Sequence, residues 1–398
     1  MSSDDIYLAL LEIFVLITAA QGLKVTSRKA RIPPLIMELL TGLILSPFAL
    51  GSVINSITGY QIFTINSYLI LFSEFSVILL IFASGLEHGF KSLRTSGGLA
   101  SMAATAGAVL PFVGVFFYMS RFVSFDVAIL MGAATGATSL AAVASIIEGE
   151  KLENERYVKI TLSAAAIDDV VAFIILSISL ALIDTRGLTF FDVFKLTLTV
   201  VISWLIIFFA SVFIIPRIIS IVSDSLVVDV SLLILFILVT IMITLGFSPI
   251  IAAFIAGVAI AESRKAERIR GMVRTMIGIF GSIFFISIGA QTDIFTFMSP
   301  NVLIQGSIIT VLAIVLKFVG IYPFAYLYNK DPKRALASSL GMIPRGEMGL
   351  VISSIAFSSG IFDQADLSEI ILMSLATTVI GAVAFERSAR NIMKTQAT

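Results

Sequence analysis

The chain has 398 residues, 58% of them hydrophobic and only 13% charged, with a mean hydropathy of +1.06. Soluble domains carry about 25% charged residues, so this composition excludes a soluble globular protein and describes a polytopic membrane protein. The net formal charge is zero and points to no class of partner, nucleic acid included, and the absence of Cys together with a single His excludes disulfides, thiolate metal sites and histidine-rich metal sites.

Read from its start, the chain opens with no basic segment and small-residue cleavage site, so no signal peptide is expected. Thirteen apolar segments of membrane-spanning length follow, at approximately 6–23, 33–51, 67–86, 98–120, 125–147, 158–182, 194–219, 225–245, 248–262, 275–290, 302–328, 335–358 and 367–386. The ninth and tenth are short. The first is followed by Lys24, Arg28, Lys29 and Arg31. The second and third carry Glu38, Glu74 and Glu87, the last beside His88, which reads as an interfacial residue with pH sensing as the alternative. The fifth contains GAATGATSLAAV, with Gly132, Gly136, Thr138 and Ser139 at mid-membrane depth. The sixth contains Asp168 and Asp169 side by side. The eleventh contains Lys317. The twelfth contains SLGMIPRGEMGLV, with Gly341, Pro344, Arg345, Gly346, Glu347 and Gly349.

Loop charges test this division. Alternate loops and the C-terminal tail hold 21 of the 26 Lys and Arg, and the opposite loops hold only Arg121, Arg186 and Lys195. The positive-inside rule then places the N-terminus outside and the C-terminus in the cytoplasm. The remaining two cations, Lys317 and Arg345, lie within spans. Thirteen divides as six, one and six, so the seventh segment (194–219) would link two six-helix halves of opposite topology. The fifth and twelfth segments are equivalent in such halves. Both carry helix-breaking Gly or Pro, and unwound backbone at that depth is tolerated only against protein or a watery cavity.

Asp168 and Asp169 are the strongest functional signal. A carboxylate near the bilayer centre costs roughly 2.5–3.5 kcal/mol on insertion scales, so an intramembrane acid is read as a cation or proton site. Adjacent helical positions point roughly 100° apart, which lets one acid face a cavity and the other a neighbouring helix. A structural charge pair is the plainer alternative. Lys317 is a candidate partner for Asp168, which would leave Asp169 as the exchangeable ligand; snorkelling is the alternative for the lysine. Thr138 and Ser139 offer oxygen ligands, or else small side chains for helix packing. Arg345 and Glu347 are expected to be paired within the protein, structurally or in coupling, with Glu74 as another candidate partner for the arginine. No P-loop, dinucleotide fingerprint, zinc motif or nucleophile–base set is present, so neither an ATP-driven pump nor an enzyme is expected, and no cofactor.

The run ATGATSLAAVASIIEGEKLENERYVKITLSAAAIDDVV resembles the broken helix, loop and double-aspartate helix of NapA-type sodium/proton antiporters, a branch of the monovalent cation:proton antiporter superfamily. EFSVILLIFASGLE, FFISIGAQTD and GMIPRGEMGLVI resemble that family's third, tenth and twelfth spans. The resemblance implies an all-α fold of thirteen transmembrane helices, with inverted six-helix repeats and two crossed broken helices, in a plasma-membrane homodimer. It implies ion-transporting core helices at 98–182 and 302–386, mainly dimerisation helices at 33–86 and 225–290, and a linker at 194–219. By position it makes Asp169 the main carboxylate for Na⁺ or H⁺. Asp168 becomes the partner of Lys317, with Thr138 and Ser139 lining the site. The expected activity is Na⁺/H⁺ exchange by alternating access, with Li⁺ or K⁺ as alternative cations. A K⁺/H⁺ antiporter or potassium-efflux-type system is the nearer alternative, and a non-transporting sensor or subunit the distant one.

Overall fold

The computed structural model describes the backbone of residues 3–30, 33–95, 97–139, 141–184 and 190–397. Within these, 3–5, 24–30, 88, 91–95, 141, 142, 145, 184, 190 and 395–397 are described by backbone alone. The side chains of His88, and of the basic residues at 24, 28, 29, 31, 91, 94 and 186, therefore lie outside the described residues.

The described residues form helices throughout: α1 (Ser3–Ala30), α2 (Pro34–Ile44), α3 (Leu50–Thr58), α4 (Ser67–Thr95), α5 (Gly97–Met119), α6 (Phe125–Ala134), α7 (Ala141–Gly149), α8 (Arg156–Asp184) and α9 (Phe190–Ile221). There follow α10 (Val227–Thr244), α11 (Pro249–Ala261), α12 (Ala266–Gln291), α13 (Ile294–Phe297), α14 (Pro300–Asn329), α15 (Pro332–Gly341), α16 (Glu347–Ser358) and α17 (Gln364–Ala397). Among them, α1, α4, α5, α8, α9, α10, α12, α14 and α17 are long and apolar enough to cross a membrane. Shorter apolar helices include α2, α6, α11 and α16. Helix starts are written locally. Ser124, Ser248, Ser299 and Asp331 each accept a hydrogen bond from a first-turn N–H, and Pro249, Pro300 and Pro332 follow three of these caps. Proline lacks the N–H that a first turn leaves unpaired anyway, and its fixed φ suits the start.

Three boundaries differ from expectation. The segment 33–51 is divided: α2 stops at Ile44, a turn through Ser46 and Pro47 intervenes, and α3 begins at Leu50. Proline in a helix interior removes a bond and clashes with the preceding turn. The tenth segment is longer than 275–290 because α12 starts at Ala266 and takes Arg268, Arg270 and Arg274 into the helix. Arginine is a good helix former, so a charged run marks the end of an apolar stretch and not of a helix. Arg270 donates from Nε to the Leu86 carbonyl at 3.1 Å. Similarly, α17 continues past 386 to Ala397.

The chain divides into two compact units, one of residues 1–91 and 202–295, the other of residues 92–201 and 296–398. In the first unit, two helix crossings are made by glycine. A Cβ added at Gly42 (α2) would lie 1.9 Å from the Ile286 carbonyl oxygen, and one at Gly289 (α12) 2.1 Å from that of Leu39. A Cβ at Gly85 (α4) would lie 2.3 Å from the Phe254 oxygen, and one at Gly257 (α11) 2.1 Å from that of Phe82. In lipid, where apolar side chains gain little from leaving the solvent, such backbone-to-backbone approach is a main source of helix association. Buried Glu38 accepts from Ser282 Oγ at 2.7 Å across the first of these crossings.

In the second unit, α5 and α14 run against each other with the same economy. A Cβ at Gly320 would meet the Ala106 carbonyl oxygen at 2.6 Å, and Gly107 faces Ile321 and the stem of Lys317. One end of this unit is apolar, with Met119, Val127, Ile129, Ile309, Ile352, Phe362, Ile370 and Met373 in one cluster. The other end is built from small side chains, including Ala100, Ala103, Ala104, Ala164 and Ala165.

Candidate ion-binding site

Two interruptions of helix lie side by side in the second unit. The first separates α6 from α7. At its start Thr135 and Gly136 close the last turn through Gly132 and Ala133, and the chain is then non-helical through Ser139. The second separates α15 from α16. Met342 and Ile343 end α15, Pro344 offers no N–H, and Gly346 turns the chain with φ −138 and ψ −105. Each interruption satisfies the other. Ser139 N–H donates to the Pro344 carbonyl at 2.8 Å, Thr138 Oγ1 to that of Met342 at 3.2 Å, and Ser139 Oγ to Glu347 Oε2 at 2.5 Å. Gly349, one turn into α16, leaves room for the Ala134 carbonyl, which a Cβ would meet at 2.8 Å. Backbone freed by one break is thus paired by the other, as buried polar groups require.

Beside the breaks, α8 and α14 bring an ion pair. Lys317 and Asp168 are both fully buried. Lys317 Nζ lies 2.8 Å from each Asp168 carboxylate oxygen and 2.7 Å from the carbonyl of Gly136. An ammonium group has three donors, and these contacts use all three. The Gly136 carbonyl belongs to the end of α6, where a cation also meets the negative end of the helix dipole. Glu347 stands at the opposite pole, in the first turn of α16. Asp169 is 6% exposed and close enough to act electrostatically on both Lys317 and Asp168.

Arg345 and Glu347 do not form the pair expected from their spacing. Gly346 turns the chain between them, so the two side chains leave in different directions. Glu347 takes Ser139, while Arg345, fully buried, donates from Nη2 to the Ala313 carbonyl on α14 at 3.0 Å. Its Nε and Nη1 have no hydrogen-bond partner among the described residues, and no carboxylate there lies within ion-pair distance of it. Its own carbonyl accepts from Thr378 Oγ1 of α17 at 2.5 Å. Arg345 thereby ties the second break to α14 by its side chain and to α17 by its backbone.

The arrangement therefore gathers Thr138, Ser139, Asp168, Asp169, Lys317 and Glu347 around the two breaks and gives Arg345 a fastening position. The carbonyls of Gly136 and Ala313 complete the contacts and were not legible in the sequence, because any residue supplies a carbonyl. Chemically, the site offers a buried acid already neutralised by an amine, a second acid beside it, and hydroxyl and carbonyl oxygens of the kind hard cations bind.

A family model described as the transmembrane sodium/hydrogen exchanger matches residues 13–387. The high-affinity Na⁺/H⁺ antiporter NhaS3 of Synechocystis is 31% identical over 330 residues, which cover 80% of this chain and 71% of that one. A Na⁺/H⁺ antiporter of Enterococcus hirae is 28% identical over 363 residues, covering 89% and 91%. The Na⁺/H⁺-K⁺ antiporter GerN of Bacillus cereus is 28% identical over 361 residues, covering 87% and 88%. Among solved structures, the sodium proton antiporter MjNhaP1 of Methanocaldococcus jannaschii superimposes with a TM-score of 0.69 at 17% identity, covering 95% of both chains. The fold is thus an all-helical polytopic membrane fold of the MjNhaP1 kind, and the chain belongs to the transmembrane sodium/hydrogen exchanger family.

Proposed function

We propose that this protein is a secondary antiporter that exchanges Na⁺ for protons by alternating access, with Asp169 as the carboxylate that binds either one. The observation that carries this reading is the buried Lys317–Asp168 pair at the junction of two helix breaks, with Asp169 beside it. The physical logic is competition. A deprotonated Asp169 holds a cation or is neutralised by a proton, and not both. Either loaded form carries less uncompensated charge through the barrier, while the empty form is penalised by desolvation. Coupled exchange follows with no further parts. Asp168 is paired with Lys317, and Thr138 and Ser139 supply oxygens beside it.

The two adjacent aspartates favour the NapA-type branch. Thirteen crossings in two inverted six-helix halves also suit the sequence, with α6–α7 and α15–α16 counted as one broken crossing each. Spacings within the first unit support such halves. Pro34 precedes Gly42, and Pro249 precedes Gly257, by the same interval; Phe82 precedes Gly85 as Ile286 precedes Gly289. On this reading the core helices are 98–182 and 302–386, and the segments 33–86 and 225–290 form the contact of a homodimer. The linker is 194–219. The protein sits in the plasma membrane with its N-terminus outside. The relative named for both sodium and potassium favours K⁺ as the second cation to be tested.

Reconstitution in proteoliposomes with a trapped pH-sensitive dye tests the reading. Na⁺ added to acid-loaded vesicles should raise the internal pH, with Li⁺ and K⁺ compared in turn. Asp169→Asn should abolish the response. Wild-type exchange by that variant would remove Asp169 from the mechanism.

A further inference from the structure

Away from the ion pair, unit two buries another carboxylic acid that the mechanism above does not use. Glu369 lies in α17, nine residues before Thr378, or about 14 Å along the helix from the Arg345 contact. It is 6% exposed, and the charged groups that act on it among the described residues are acids. Its Oε2 is buried without a hydrogen-bond partner among the described residues. On α14, Gly306 packs against the Glu369 backbone at a distance that leaves only van der Waals room. On α5, Tyr118 acts electrostatically on Glu369, but its hydroxyl donates to Gln305 Oε1 at 2.7 Å. At the start of α17, Asp366 and, just before the helix, Asp363 are the charged neighbours. They are occupied with each other's turn: Asp363 N–H donates to Asp366 Oδ2 at 3.0 Å, and Asp366 N–H to Asp363 Oδ1 at 2.9 Å. Of the other helices packed on α17, α6 brings Asp126 in its first turn and α16 no charged residue after Glu347, while α7 with Glu148 and α15 with Lys333 and Arg334 meet α17 around Phe385, Ala389 and Ile392, well over a dozen residues from Glu369.

The helices around Glu369 bring no cation to it, and Arg121, in the turn after α5, is exposed. No Lys or Arg occurs in α5, α6 or α16, in α14 before Lys317, or in α17 before Arg387. The apolar cluster of Met119, Ile309, Phe362, Ile370 and Met373 surrounds this end. An ionised carboxylate buried among such groups, with acids as its only charged neighbours, is far costlier than a neutral one. Asp168 solves that problem with Lys317; Glu369 has no such partner among the described residues, so a proton is what neutralises it.

We propose that Glu369 is a second proton-binding carboxyl, separate from the Asp168–Asp169 centre, which holds its proton while this end of the unit is packed and releases it when that end is wetted. In an exchanger this makes it a proton donor and acceptor between water and the interior. That second statement rests on the antiport reading, whereas the protonation of Glu369 does not.

Thermal unfolding of purified wild-type and E369Q protein, from about pH 4, near the ordinary glutamate pKa, to alkaline pH, tests the first statement. Glutamine is a neutral isostere, so E369Q should fold and match the wild type in acid. Its Tm advantage should then grow as pH rises, because only the wild type has a proton to lose from the packed form. This sign follows from linkage: stability that depends on a bound proton is lost as pH rises. An E369Q protein that does not fold, or a Tm difference that is the same at every pH, overturns the proposal. In proteoliposomes, E369Q should keep its apparent Na⁺ affinity and lose part of the alkaline side of its pH profile. An unchanged profile beside an active wild type overturns the role in exchange. A wild type silent toward every cation overturns that role too, through the antiport reading, and the unfolding series alone then decides whether Glu369 holds a proton.

Discussion

Among the buried charges, Lys317 and Asp168 have the clearest energetic consequence. Moving both out of water is expensive, and their mutual attraction with the Gly136 carbonyl offsets that expense only while both are present. Removing one partner strands the other, at about 3–5 kcal/mol, whereas replacing both by apolar side chains is often close to neutral. Lys317→Ala should therefore lower the Tm of the detergent-solubilised protein strongly, and a Lys317→Met, Asp168→Leu double variant should recover much of the loss. A double variant no more stable than the single one would mean that the pair is held by contacts other than its own attraction. The two aspartates and the lysine were legible in the sequence because ionisable residues in an apolar run have no cheap structural explanation. The Arg345–Glu347 pair was misread for a local reason. Proximity in sequence suggested proximity of side chains, but Gly346 turns the backbone between them and hands Glu347 to Ser139. Glu369 stood in plain view as an acid within the last span, and only the packing of α5, α14 and α17 shows that no cation among the described residues is paired with it.

At the scale of helices, interruptions and crossings follow different rules. Breaks are readable because Gly and Pro write them: the GATS and PRGE runs coincide with the ends of α6 and α15. Crossings are not readable, since 27 glycines offer many small-residue spacings and only the fold selects among them. Helix α12 supplies its own control. Gly289 and Gly278 are both helical, but a Cβ at Gly289 would overlap the Leu39 carbonyl at 2.1 Å, whereas one at Gly278 meets nothing within 4 Å. Gly289→Ala must push α2 and α12 apart and should be strongly destabilising. Gly278→Ala should be neutral or stabilising by up to about 1 kcal/mol, the usual helical preference for alanine over glycine. Thermal unfolding of the two variants side by side checks this. Equal Tm values would show that the α2–α12 contact is looser than the crossing described above. The same reasoning accounts for the missed start of α12, where hydropathy fell but helix propensity did not.

For the whole molecule, the loop charges give a directional prediction. The basic loops and the tail should share the cytoplasmic face, with the turn after α5 on the other. The absence of Cys makes single-cysteine labelling clean. Ser120→Cys and Lys394→Cys place a thiol at exposed positions after α5 and near the end of α17. In intact cells a membrane-impermeant maleimide should label the first and leave the second until the membrane is opened. Labelling of Lys394→Cys in sealed cells would invert the orientation. The all-helical membrane class was legible from composition, because hydrocarbon leaves the backbone few ways to satisfy itself; a division of the helices into two groups came from the family resemblance and not from composition, since it depends on which apolar faces meet. One feature of the second unit bears on how such a molecule must move. The Ser139–Pro344 hydrogen bond splices two interrupted rods at their midpoints, as a rivet joins the blades of scissors. Arms on one side of a rivet cannot spread without spreading those on the other. A pivot at that joint therefore cannot by itself open one side of the membrane and close the other; for alternating access the spliced pair has to tilt or slide as a single piece, or the joint itself has to part.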